Sequence, residues 1–225
     1  TARLTLKPGE TGRVRFAIAW YFPNASNYWN PQEPEQQDGT ASPEEAGRLA
    51  IQANTWKNYY ALLFPDALTV SLYAHEHWDR LEQATQQFKA VLYRSSLPEV
   101  ALEALTANLS ILRSPTCLRL PDGSFYAFEG CHAHAGCCEG SCTHVWNYAY
   151  ALPYLYPSLE RSMRELDYRY NLRDSGEMPF RLQLPAGRSP WSFRACVDGQ
   201  MGGVIKVYRE WQISGDREWL EKLYP

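Results

Sequence analysis

The sequence predicts a mainly α protein: a short β segment at the N-terminus, then a long run of helix pairs. Three observations carry this. Apolar residues alternate with period two only near the start, in Leu4, Leu6, Val14, Phe16, Ile18 and Trp20. From residue 43 onward they recur mostly at three- and four-residue spacing, as in Leu49, Ala53, Trp56, Tyr60 and Leu63. Helix-start signals precede these runs, in Ser42-Pro43-Glu44-Glu45 and at Asp66.

Taken in order, residues 4–22 read as a hairpin around Pro8-Gly9-Glu10-Thr11-Gly12. Residues 23–42, rich in Pro, Asn, Gln and Gly and without an apolar period, read as a linker or covering loop. A first helix follows Ser42, and a second, capped by Asp66, runs through Leu68, Leu72, Leu81, Phe88 and Leu92. A third starts at Leu97-Pro98-Glu99 and reaches about Arg113. Thr116–Leu120 and Phe125–Glu129 flank the turn Pro121-Asp122-Gly123-Ser124 as a second hairpin. Thr143 opens another helix, which Pro153 kinks and Ser158 re-caps. A strand-like Met178–Leu184 then leads to two last helices, Gly202–Ile213 and Asp216–Tyr224.

Composition removes several classes of function. The 225 residues carry 22 Lys+Arg against 25 Asp+Glu, a net charge of −3, so there is no basic excess to neutralise a nucleic-acid backbone. No apolar run approaches the roughly 18 residues of a membrane span. Aromatic residues are abundant, with 8 Trp, 15 Tyr and 8 Phe, suited to cores and ligand clefts alike. The chain opens on Thr1-Ala2-Arg3 without a charged-then-apolar leader and closes on Tyr224-Pro225. The expectation drawn from these ends is a piece of a longer polypeptide, whose compartment they leave open; the location expected is cytoplasmic.

Chemistry concentrates between Glu129 and His144. Cys131, His132, His134, Cys137, Cys138 and Cys142 supply thiolates and imidazoles that suit zinc, although the spacing lacks a paired C-x-x-C or H-x3-H half. A disulfide-stapled loop and a tightly turned loop of free, packed thiols are the competing readings. Glu129 ends the aromatic strand Phe125-Tyr126-Ala127-Phe128 and is followed by Gly130, which lets a ligand approach closely. Taken alone, it reads as an exposed strand-end Glu.

The runs Leu112-Arg113-Ser114-Pro115-Thr116, Asp122-Gly123-Ser124-Phe125-Tyr126-Ala127-Phe128-Glu129-Gly130 and Cys142-Thr143-His144-Val145-Trp146-Asn147-Tyr148 change that balance. With Leu155-Tyr156-Pro157-Ser158-Leu159-Glu160-Arg161-Ser162-Met163-Arg164 and Lys206-Val207-Tyr208-Arg209-Glu210-Trp211, they resemble glycoside hydrolase family 116. That family includes bacterial β-glucosidases, β-xylosidases and the non-lysosomal glucosylceramidases. The resemblance is strongest from about residue 91 onward.

It implies a partial (α/α)6 barrel over 43–225, preceded by the last hairpin of an N-terminal β-sandwich in 1–22 and the linker 23–42. It also implies a retaining exo-β-glycosidase without a cofactor, acting on a small β-glycoside or glycolipid, with Glu129 as nucleophile. The acid/base Asp of the family would fall past residue 225, so the chain would hold one of the two carboxyl groups and be nearly inactive alone. Such an incomplete barrel is expected to expose apolar helix faces and to associate.

The departures concern the sugar pocket. His144 stands where many members have an Asp that holds sugar hydroxyls, and Phe180 where they have a His after a Pro. Thr143, Trp146 and Asn147, on the first turn after the Cys-rich stretch, are candidate substrate contacts with His144. Asp198 is another, with helix capping as its alternative role. Trp20 and Trp29 are candidate sugar platforms, with a core position the favoured alternative for Trp20 in its alternating strand, and Arg161 and Arg164 are expected in surface or ion-pair positions.

Overall fold

A computed structural model describes residues 2–34, 42–188 and 191–224. Regular structure among them is mainly helical, with only short antiparallel strand pairs. The chain forms two compact units, one built from the segment up to Phe22 with Leu63–Ser95, the other from Pro23–Leu62 and the chain from Ser96 on.

In the first unit the expected hairpin has its turn and lacks its ladder. Glu10 N–H donates to the Lys7 carbonyl at 3.0 Å, and Gly9, at φ 82°, takes the left-handed position of the turn that follows Pro8. The arms approach so closely that a Cβ on Gly12 would lie 2.8 Å from Leu4 Cδ1. No strand pairing joins them among the described residues, and Trp20 is 79% exposed rather than in a core. An alternating strand is stable only when another layer covers its apolar face, and Phe16 and Ile18 are exposed as well.

The second unit begins with β1 (Asn24–Ser26), α1 (Pro43–Ala53), β2 (Thr55–Lys57) and α2 (Tyr60–Leu63). Ser42 Oγ accepts from Glu45 N–H at 3.2 Å, as its position before Pro43 predicts. The helix stops ten residues before the expected Leu63 because Ala25 and Trp56 pair across β1 and β2. The segment expected as a linker is packed instead. Asn27, 2% exposed, donates to the carbonyls of Asn30 and Leu184, and Trp29 packs edge-on against Phe128 at 4.9 Å. After β1, side-chain-to-backbone bonds replace a ladder, so the backbone is irregular while Asn27 is buried. The rest of that stretch, 35–41, lies outside the described residues.

In the first unit, α3 (Ala67–Glu76) and α4 (Trp78–Tyr93) replace one expected helix. Asp66 caps α3 by accepting from Thr69 N–H at 2.7 Å. His77, at φ −104° and ψ 17°, breaks the run, its ring edge-on to Tyr73 at 4.4 Å.

The second unit resumes with α5 (Glu99–Ala107), a 3₁₀ turn over Ser110–Arg113, and the expected hairpin of β3 (Cys117–Arg119) and β4 (Phe125–Ala127). β5 (Gly130–Cys131) pairs with β6 (Gly136–Cys137), and β7 (Ser141–Cys142) with the later β8 (Arg181–Leu182). Between these last two come a 3₁₀ turn at Val145–Tyr148, α6 (Ala151–Leu155) and α7 (Pro157–Tyr170). The helix expected from Thr143 is therefore a 3₁₀ turn, the short α6 and the 14-residue α7, with Pro157, whose fixed φ suits a first position, opening α7. α8 (Val197–Ser214) and α9 (Arg217–Leu223) complete the chain, with Asp216 accepting from Trp219 N–H at 3.0 Å as the cap of α9. No helix among the described residues is long and apolar enough to cross a membrane.

β4 organises the core. It is buried on both faces, and alternation sends Tyr126 and Phe128 into a cluster with Leu120, Leu166, Leu182 and Leu184. Phe125 and Ala127 enter a second cluster with Trp146, Leu152 and Met163. The chain therefore leaves β4 with its last buried residues fixed, and Glu129 is the next side chain but one.

Between α7 and α8 lies a buried set of ionisable groups. Arg164, 1% exposed, pairs with Asp167 at 2.9 Å, and Arg209 reaches Glu160 at 3.2 Å and Glu210 at 2.8 Å. Burial pushes the Lys206 ammonium down to about 7 and raises the Asp167 carboxyl. Arg164 is thus an ion-pair residue of the interior, not of the surface.

Candidate active site

Glu129 stands between β4 and β5, and its carboxylate faces β8. Arg181 Nη2 donates to Glu129 Oε1 at 2.5 Å, with the two side chains 17% and 22% exposed respectively. The partnership follows from the strand pairing that sets Cys142 opposite Arg181. Burial alone would raise the Glu129 pKa. The Cys142 thiol, the Arg181 hydrogen bond and the Arg181 charge outweigh it and hold the carboxyl below its ordinary value. The same crowding pushes the Cys142 thiol up to about 11, burial being the first cause and the neighbouring Glu129 another. Cys142 is therefore a neutral thiol that donates to a carboxylate, and Glu129 is ionised at neutral pH.

Arg181 also lines two clefts. One, of about 460 Å³, is walled by Phe180, Arg181, Trp191, Phe193 and Cys196, with Trp191 and Phe193 stacked at 4.9 Å and 16°. The other, of about 230 Å³, is bounded by Trp29, Asn30, Glu139, Arg181, Gln183 and Trp191. The Arg181 guanidinium lies 5.4 Å from the Phe180 ring centre and 5.9 Å from that of Trp191. Glu129 lines neither cleft; Arg181 is the side chain that connects it to both. Flat aromatic walls beside a guanidinium that holds a carboxylate behind it suit a ligand with an apolar face and several hydroxyls.

The other candidate residues divide. Thr143 is 4% exposed, and its N–H and Oγ1 both donate to the Phe180 carbonyl at 3.1 Å. It joins segments and presents no group to a ligand. Trp146 is 4% exposed, edge-on to Phe125 at 5.7 Å in the second core cluster, so it is a packing residue and not a sugar contact. The side chain of Asn147 lies outside the described residues. His144 and Asp198 do come together, through His144 Nδ1 and Asp198 Oδ2. The Cys196 thiol meets Asp198 Oδ1 at 2.7 Å, and these two partners, the thiol first, hold the exposed Asp198 carboxyl below its ordinary value. Trp29 takes the core position of its two expected roles while one edge borders the smaller cleft.

The Cys- and His-rich loop is a small clamped hairpin. Gly136 N–H donates to the Tyr28 hydroxyl, and a Cβ on Gly136 would lie 2.3 Å from Phe128 Cδ2, so only glycine fits beneath that ring. The Cys137 and Cys138 sulfurs are 3.8 Å apart, and the six cysteines are free thiols. Among the described residues, Cys131, His132, His134, Cys137, Cys138 and Cys142 do not bring three ligand atoms together. The group that does converge is His144, Cys196 and Asp198. The pairing of Cys131 with Gly136 and of Gly130 with Cys137 puts Cys131 and Cys137 on opposite faces of the hairpin.

Arg181, Trp191, Phe193 and Cys196 are the site residues that sequence reasoning missed. Arg181 sits in a recognisable strand-like stretch, but its partner is 52 residues away and no local pattern marks the pair. Comparison of the chain with protein-family models and with curated proteins finds no match in either.

Proposed function

We propose that the chain carries the nucleophile half of a retaining β-glycosidase active site, with Glu129 as nucleophile. The single observation that carries the reading is the Glu129–Arg181 pair: a carboxylate kept ionised just past the end of a buried strand, joined through Arg181 to a cleft with flat apolar walls. In this mechanism the carboxylate attacks the anomeric carbon while an acid protonates the departing oxygen, and water then hydrolyses the glycosyl ester. The second carboxyl group must lie about 5–5.5 Å from the first. On this reading it belongs to an Asp outside these 225 residues, and the substrate is a β-glucoside or glycolipid. Trp191 and Phe193 would stack on the apolar face of the sugar ring. Arg181 keeps Glu129 charged and oriented before attack.

The resemblance to family 116 and the order of helix packing support a partial (α/α)6 barrel. α6, α7, α8 and α9 each contact the next in chain order. α8 also exposes Val197, Met201, Val204, Ile205 and Tyr208 along one face, which further barrel helices would cover.

Azide rescue tests the assignment. In the full polypeptide, Glu129→Gly should abolish hydrolysis of an activated aryl β-glucoside, and added azide should restore turnover and give the α-glycosyl azide, because azide attacks from the vacated face. Hydrolysis unchanged by Glu129→Gly would refute the role.

A further inference from the structure

We propose that His144, Cys196 and Asp198 form a site for a zinc-class divalent cation, with a fourth position open toward the aromatic cleft. The imidazole nitrogen, the thiol sulfur and a carboxylate oxygen all lie within 4.8 Å of one another. In a tetrahedral zinc site with bonds of about 2.0–2.3 Å, neighbouring donor atoms are about 3.3–3.8 Å apart, so small side-chain rotations bring these three to their places. The donor set is one soft sulfur, one imidazole and one carboxylate. This combination suits zinc, and its sulfur disfavours magnesium and calcium, which take oxygen.

The backbone beneath the three donors is closely packed. Cys196 precedes α8 and Asp198 lies in its first turn, so their spacing is set by the helix start. His144 follows Thr143, which is pinned twice to the Phe180 carbonyl. Gly199 of α8 packs so tightly on this segment that a Cβ there would lie 2.3 Å from Thr143 Oγ1 and 3.0 Å from His144 N. The start of α8 and the segment at Thr143 and His144 thus pack without room for a side chain at position 199.

The charges also balance. Binding takes the thiol proton of Cys196 into solvent and forms a metal–sulfur bond, so thiolate and carboxylate together neutralise a dication. The side chains of His144 and Asp198 are 40% and 53% exposed, which leaves an entry path. Cys196 lines the cleft, and the His144 ring lies 6.3 Å from that of Phe180, another wall residue. A water or a ligand hydroxyl would take the fourth position there. Of the Cys- and His-rich stretch only His144 takes part, and the site does not depend on the role of Glu129.

The test uses protein purified without a polyhistidine tag. Zinc bound after loading and gel filtration is counted, and its affinity is measured against a chromophoric chelator. Cobalt(II) substitution then reports a sulfur ligand through its thiolate-to-metal charge-transfer band. One equivalent of zinc and that band are expected. Cys196→Ala should remove the band and weaken zinc by more than the 10–100-fold typical of a lost outer partner. Asp198→Asn should weaken zinc and keep the band, which covers the case in which Cys196→Ala folds poorly. The double variant Cys137→Ser with Cys138→Ser should keep both signals. Failure of the wild-type chain to bind zinc overturns the proposal, as does a band that survives Cys196→Ala and disappears in the double loop variant.

Discussion

Arg181 and Glu129 face each other at 2.5 Å across the end of the β4 strand, and the pairing of β7 with β8 is what brings them together. The pair fixes the charge state of the carboxylate at the centre of the proposed chemistry, so its removal should be visible in a pH profile. With Arg181 present, the folded pKa of Glu129 lies below its ordinary value. Arg181→Met removes a hydrogen bond and a positive charge and leaves the burial that raises the pKa. The acidic limb of the rate of glycosyl–enzyme formation should therefore move to higher pH. A limb that stays in place would show that Arg181 does not set the charge of Glu129. The stability linkage has the same sign. A depressed carboxyl contributes stability above its unfolded pKa and loses it as pH falls through the folded one, and Arg181→Met should flatten that loss.

Gly199→Ala should be costly beyond its helix propensity. Alanine normally favours a helix over glycine, but its Cβ would lie 2.9 Å from Thr143 Cβ and 3.0 Å from His144 N. Overpacking of this kind costs about 1–3 kcal/mol. Urea unfolding should show that loss, whereas a gain in stability would mean that the contact is slack.

Trp146→Ala should act on stability rather than on the ligand. Trp146 is 4% exposed and packed with Phe125, Leu152 and Met163. A buried Trp→Ala change costs about 3–5 kcal/mol. The unfolding midpoint should fall sharply while KM for a glycoside stays within error. A raised KM at unchanged stability would return Trp146 to the pocket.

Lys206 predicts a slope with pH. Its folded pKa, lowered by burial to about 7, lies below the ordinary 10.5. Between these values the unfolded chain holds a proton that the folded chain has lost, so the Lys206 contribution to stability grows as pH rises. The stability of the wild type minus that of Lys206→Met should thus increase from about pH 7 upward, by at most about 1.4 kcal/mol per pH unit. Parallel curves for the two proteins would contradict the burial of a shifted ammonium.

Local signals were legible where one turn of chain contains both partners. Ser42 with Glu45, Asp66 with Thr69 and Asp216 with Trp219 cap helices as their types and spacing predict. The hairpin of β3 and β4 was equally readable, because Asp122 and Gly123 set its turn. Long-range partners were not. Trp29 packs on Tyr126 and Phe128, about a hundred residues away, so part of the stretch read as a linker or covering loop lies against the core. His144 and Asp198 were singled out separately, but nothing in either neighbourhood showed that they meet or that Cys196 joins them. Trp146 was misplaced for the opposite reason: nearness in sequence to Glu129 suggested a shared pocket, while the 3₁₀ turn points its ring into the core. The N-terminal alternation was real as a pattern but lacked a covering layer.

The central claim is that Glu129 is a glycosidase nucleophile. Its most direct test is the intact mass of the full polypeptide after exposure to 2-deoxy-2-fluoro-β-glucosyl fluoride. Fluoride departs without protonation, so labelling reports the nucleophile apart from the acid. A single adduct is expected, mapping by peptide sequencing to Glu129 and absent in Glu129→Gln. A folded protein that forms no adduct at Glu129 with gluco-, xylo- or galacto-configured reagents would contradict it.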